Sequence, residues 1–95
     1  VDIDWEFPGS CGDTCNYRPE DGANFVALLE EFRRQLDALE DEHQQVTGTR
    51  PEYLLTIAAP AGRVHYESME LARLSGLHVP LDWINVMTYD LYGAW

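Results

Sequence analysis

The sequence predicts an α/β fold with parallel strands, and three observations predict it. Residues 1–7 alternate apolar and acidic side chains, the period of a strand. Two later segments, starting near Asp21 and Ser68, repeat apolar residues every three or four positions, the period of a helix. Each is followed by a strand-like run, residues 53–59 and 81–90. The order strand, helix, strand, helix, strand implies helical crossovers, hence parallel strands with right-handed connections. An open doubly wound sheet and a slice of an eightfold barrel both satisfy this order. No glycine-rich phosphate loop follows the first strand, which weighs against a nucleotide-binding sheet.

The first strand carries the chemistry. Asp2, Asp4 and Glu6 occupy alternate positions, with Val1, Ile3, Trp5 and Phe7 between them. Strand geometry puts the three carboxyls on one face, neighbours about 6.5–7 Å apart. Carboxylates so close repel, so at least one is expected to hold a proton near neutral pH. A protonated acid beside ionised ones is what general-acid attack on a sugar linkage requires. Two plainer readings compete. A half-solvated strand also alternates, but acids disfavour strands and three in register destabilise one. A calcium loop would use Asp2, Asp4, Glu6 and Asp13, yet Phe7 stands where that loop needs glycine, and Pro8 follows it.

Residues 8–20 are rich in Gly, Pro, Ser, Asn and Asp and read as a loop. Cys11 and Cys15 are the only cysteines. Their spacing permits a disulfide closing a very short ring, and the pattern is a poor zinc motif without a second Cys/His pair. Pairing implies an oxidising compartment. Tyr17 and Arg18 are candidates to line a cleft. Asp21 is the expected N-cap of the first helix, whose stripe is Phe25, Val26, Leu28, Leu29, Phe32, Leu36 and Leu39. That helix is expected to fray around residues 42–46 and to stop before Gly48.

Residues 53–59 are mostly apolar, as in a strand buried on both faces. Pro60, Ala61 and Gly62 close it and permit close approach of substrate or backbone. Tyr66 lies in the loop beyond. The second helix is expected over residues 68–77, with Ser68 as N-cap and Gly76 near its end. Residues 81–90 form the third strand, with Asn85, Met87 and Tyr89 on one face. His43, His65 and His78 show no metal spacing and receive no role.

The formal net charge of −11 argues against nucleic acid or anionic membrane as partners. No apolar run approaches the length of a membrane span.

Two stretches resemble one family. Residues 1–9, VDIDWEFPG, are similar to the fourth-strand signature of family 18 glycoside hydrolases, the chitinases. That signature is Asp-x-x-Asp-x-Asp-x-Glu. Asp2, Asp4 and Glu6 match its last three acids, and Trp5 stands in its usual place. Met87, Tyr89 and Asp90 match the family's sixth-strand motif Met-x-Tyr-Asp, and Gly93 and Trp95 fit its trailing part. The resemblance implies a parallel β-α-β-α-β segment of a TIM (β/α)8 barrel, strands 4 to 6. Such a barrel needs roughly 250 residues. The 95 residues begin inside one motif and end just after the other. They are therefore expected to be part of a catalytic domain truncated at both ends, unable to bury a complete core alone.

The resemblance also implies a mechanism in which the substrate's own N-acetyl group attacks, an exception to two-carboxylate hydrolysis. Under it Glu6 is the proton donor, Asp4 holds the acetamido N–H, Asp2 tunes Asp4, and Tyr89 orients the acetamido carbonyl. Asp90 and Met87 bind the sugar at the cleavage point, and Trp95 is a candidate stacking platform. The implied substrate is chitin or chitooligosaccharide, with no cofactor, no nucleic acid and no membrane. The full-length enzyme is expected to be a secreted monomer. Rivals on the same barrel are an endo-β-N-acetylglucosaminidase acting on N-glycans and a non-catalytic chitin-binding lectin. Lectin relatives lose the terminal acid that Glu6 retains.

Overall fold

The computed structural model describes residues 1–74 and 80–93. Three parallel strands, β1 (Asp2–Ile3), β2 (Thr56–Pro60) and β3 (Trp83–Met87), lie side by side in that order. Asp2 is in register with Thr56, and the β2–β3 ladder runs from Thr56↔Trp83 to Pro60↔Met87. Helix α1 (Asp21–Thr47) connects β1 to β2. A single turn, α2 (Arg63–Tyr66), and two 3-10 turns (Glu67–Met69 and Leu71–Leu74) follow β2. The order of elements and the parallel pairing match the sequence expectation, and a small parallel sheet with helices fits a piece of a barrel.

β2 is the spine. Thr56, Ile57, Ala59 and Pro60 are buried, which suits a strand with neighbours on both sides. Its Ile57, with Leu55 before it, packs on Phe25, Val26 and Leu29 of α1, and Met69 and Leu74 complete the cluster. Phe32 and Leu36 lie against the same core, whereas Leu28 and Leu39 are exposed. The buried stripe is therefore narrower than the apolar periodicity suggested. β3 leaves Trp83, Ile84 and Val86 exposed and buries Met87.

Several boundaries depart from expectation for identifiable reasons. α1 does not fray over residues 42–46. It continues to Thr47 and ends on Gly48, whose φ of 78° and N–H bonded to the Gln44 carbonyl make a left-handed cap. Asp21 is the first helical residue, not the cap. Its carboxylate accepts the Arg18 backbone N–H at 2.8 Å and so orders the turn before the helix. Ser68 does not cap a helix either: its hydroxyl donates to the carbonyls of Pro8 (2.7 Å) and His65 (3.1 Å). With that hydroxyl spent on a neighbouring loop, the segment forms 3-10 turns. The remainder of the expected second helix, including Gly76 and Leu77, lies outside the described residues.

Polar groups lock the sheet's lower end to the helix. Glu40 is only 3% exposed. It accepts from Arg33 (3.2 Å), Arg50 (2.5 Å) and the Tyr53 backbone N–H (2.7 Å). Asp82 accepts the Leu55 N–H at 2.7 Å and lies 3.5 Å from Arg33. These contacts join α1 to the entries of β2 and β3. Among the described residues, no helix is long and apolar enough to cross a membrane.

Candidate active site

The strand ends converge. Because the three strands are parallel, the segments leaving β1, β2 and β3 emerge on one edge of the sheet, where α/β folds place ligands. A cleft of about 660 Å³ opens there. Glu6 and Phe7 reach it after β1, Pro60, Ala61 and Gly62 after β2, and Met87, Tyr89 and Asp90 from the end of β3. Small side chains after β2 leave the space open, as their sizes suggest. Asp90 has φ +52°, a left-handed conformation that aspartate tolerates, where the chain turns away from β3.

The acids of the first stretch do different things. Burial alternates along it: Asp2, Asp4 and Glu6 are exposed while Ile3, Trp5 and Phe7 are partly buried. Trp5 turns away from the carboxyls and meets Phe25 of α1 edge-on, with ring centroids 5.8 Å apart. Asp2 accepts a 2.5 Å hydrogen bond from the hydroxyl of Thr56 on β2. The side-chain interaction with the neighbouring Asp4 carboxyl raises the pKa of Glu6 above its ordinary 4.5, and slight desolvation and repulsion from Asp4 and Asp90 add to the effect.

Of the residues singled out by sequence, Glu6, Met87, Tyr89 and Asp90 line one cleft. Asp4 does not line it but neighbours Glu6, whose pKa it raises. Asp2 is held one step further back, on Thr56. Tyr89 is 65% exposed, whereas Met87 is almost fully covered. Trp95 lies outside the described residues. Cys11 and Cys15 are disulfide-bonded, with Cα atoms 4.3 Å apart. Their loop forms a wall of the cleft through Cys11, Gly12 and Asp13. Tyr17 and Arg18 line a separate hollow of about 390 Å³ that touches Glu6 from the α1 side.

Among the other cleft residues, sequence marks Phe7 only as an apolar position, Asp13 only as the last acid of the disfavoured calcium loop, and gives His65 no role. Thr56 was read only as part of a buried strand. Its pairing with Asp2 depends on strand register, which sequence period does not supply. The one signal for His65 was its place three residues beyond the small-residue end of β2.

The model of the family described as "Glycosyl hydrolases family 18" matches residues 1–95. Chitinase A1 of Niallia circulans is 45% identical over 96 residues, an alignment spanning all of this chain and 12% of that protein. Chitinase B of Serratia marcescens is 39% identical over 97 residues, spanning all of this chain and 16% of its own length. Among solved structures, the catalytic domain of psychrophilic chitinase B from Arthrobacter TAD20 matches with a TM-score of 0.74 at 35% identity, over 99% of this chain and 21% of that one. Chitinase ChiW from Paenibacillus sp. str. FPU-7 gives a TM-score of 0.74 at 44% identity, over 99% of this chain and 10% of that one. The chain thus spans well under a quarter of the length of each of these proteins.

Proposed function

The chain belongs to family 18 of the glycosyl hydrolases, and from that premise we propose that it carries the catalytic acid of an endo-acting chitinase. Its strands β1, β2 and β3 would be the fourth, fifth and sixth of a (β/α)8 catalytic barrel, of which residues 1–95 are one part. The substrate is chitin or a soluble chitooligosaccharide, cleaved between N-acetylglucosamine units, and the protein is a secreted one.

The observation that carries the reading is the placement of Glu6. Its side chain lines the cleft shared with Met87, Tyr89 and Asp90, and the neighbouring Asp4 carboxyl raises its pKa. A carboxylic acid kept protonated is a competent donor to a leaving oxygen. In the proposed reaction Glu6 gives its proton to the glycosidic oxygen as the C1–O bond breaks. The carbonyl oxygen of the substrate's N-acetyl group closes on C1 and forms an oxazolinium ion. Glu6, now a carboxylate, takes a proton from water, which attacks C1 and reopens the ring. The anomeric configuration is retained after two displacements.

The other residues support those steps. Asp4 accepts the acetamido N–H and offsets the positive charge of the intermediate. Asp2, anchored by Thr56, tunes Asp4 from one step further back. The Tyr89 hydroxyl donates to the acetamido carbonyl and aims it at C1. Asp90 hydrogen-bonds the sugar at the cleavage point, and Met87 packs beneath it. Trp95 is proposed to stack on a sugar ring.

The test is hydrolysis of chitin oligosaccharides by the full-length protein, with Glu6→Gln alongside. The amide keeps the shape of the acid but has no proton to give. Loss of hydrolysis with oligosaccharide binding retained is expected. Equal turnover by both proteins would remove Glu6 from the reaction, and cleavage of N-glycan cores alone would replace the substrate.

A further inference from the structure

The β1–β2 ladder ends at Ile3↔Ile57, three residues before Glu6. The strand itself therefore does not fix the Glu6 carboxyl, and something beyond it must. His65 is placed to do this. It stands on the α2 turn, and its ring lies nearly flat on Phe7, with centroids 4.4 Å apart and planes 24° apart. Its Nδ1 is 2.7 Å from the Ser10 hydroxyl, close enough for a hydrogen bond. One turn later, Ser68 donates to the Pro8 carbonyl at 2.7 Å. The segment after β2 thus grips Phe7, Pro8 and Ser10, and two of those three grips belong to His65. Phe7 is bonded directly to Glu6, and both His65 and Phe7 line the cleft with it.

We propose that His65 is a positioning residue for Glu6: by stacking on Phe7 and bonding Ser10 it holds the turn after β1, and so holds the acid against Asp4 and the cleft. This rests on Glu6 being the proton donor. The stack fixes the orientation of the Phe7 ring, and the hydrogen bond fixes how far the turn can lift from the sheet. Ordering of this kind acts on the transition state, where a small misplacement of the reacting group is costly.

The experiment compares His65→Ala, His65→Phe, Ser10→Ala, the double variant His65→Phe/Ser10→Ala, and Glu6→Gln in the full-length protein. It measures kcat and KM on chitin oligosaccharides, with thermal melting to show that each variant is folded. His65→Ala is expected to lower kcat on the order of 10- to 100-fold with KM little changed. His65→Phe keeps the stack and is expected to recover much of that loss. The double variant is expected to match His65→Phe, because both changes remove one and the same hydrogen bond. A loss confined to KM would overturn the proposal, since His65 would then be a sugar contact. Wild-type kcat in His65→Ala, while Glu6→Gln is inactive, would overturn it alone. Full activity in Glu6→Gln would overturn it together with the reading beneath it. Should His65→Ala not fold, His65→Leu, which also removes both the aromatic stack and the hydrogen bond, replaces it, and wild-type kcat in that variant overturns the proposal.

Discussion

Thr56 donates a 2.5 Å hydrogen bond to Asp2 across the first pair of parallel strands. Thr56 is 5% exposed, so its hydroxyl has little access to water as an alternative partner. Thr56→Val keeps the shape of the side chain and removes the donor. It is expected to cost about 1.5 kcal/mol of stability, the low end for a bond to a charged group, because Asp2 is itself exposed. Urea denaturation of the full-length protein checks this. Thr56→Ser, which retains the hydroxyl, should lie much closer to wild type.

The raised pKa of Glu6 makes a prediction with a definite sign. A carboxyl that binds its proton more tightly when folded adds stability below its unfolded value, near 4.5, and that contribution is lost as pH rises through the raised value. Glu6→Gln cannot ionise and does not suffer this loss. The melting temperature of Glu6→Gln minus that of wild type should therefore increase from about pH 4 to about pH 7. Calorimetry across that range checks it; a difference that stays flat or declines would mean that Glu6 ionises at least as freely folded as unfolded.

Glu40 tests the far end of the sheet. It is buried and holds Arg33, Arg50 and the Tyr53 N–H at once. Glu40→Ala removes a shared acceptor from all three, although Arg33 keeps Asp37 at 2.8 Å and Asp82 at 3.5 Å and Arg50 keeps Asp41 at 3.0 Å. The expected cost is about 3 kcal/mol, in the range for removing one partner from a buried ion pair. Because the network lies away from the cleft, kcat and KM of the folded variant should be unchanged. Denaturation and steady-state kinetics together check both halves.

Two glycines separate site from scaffold. A Cβ on Gly12 would lie 2.0 Å from the Glu6 carbonyl oxygen, a clash with backbone. Gly12→Ala must push the disulfide loop or the Glu6 peptide aside, and a kcat loss of about 10-fold or more is expected. Gly48 has nothing within 4 Å of such a Cβ, but its φ of 78° is strained for alanine. Gly48→Ala should cost about 1 kcal/mol with activity intact. Paired kinetics and melting of the two variants check the contrast.

What sequence made legible follows from the range of each interaction. The acid–apolar alternation of residues 1–7, the stripe of α1 and the apolar run of β2 are local patterns, and strand, helix and parallel order followed from them. The cleft residues Glu6, Met87, Tyr89 and Asp90 were found because two short motifs each contain their own chemistry. The Ser68 hydroxyl was misread as a cap because its partner, the Pro8 carbonyl, is 60 positions away. His65 was passed over for the same reason: its meaning lies in Phe7 and Ser10, which only the folded chain brings near. The apolar period of α1 included Leu28 and Leu39, but a helix laid on a three-stranded sheet covers only the narrower face that touches it.

The most direct measurement is the anomeric form of the first products, recorded by proton NMR during the opening minutes of chitin-oligosaccharide hydrolysis by the full-length protein. Attack by the substrate's own acetamido group, with Glu6 as the acid, predicts the β anomer in excess with wild type and no product with Glu6→Gln. An excess of the α anomer, or undiminished product from Glu6→Gln, would contradict the account.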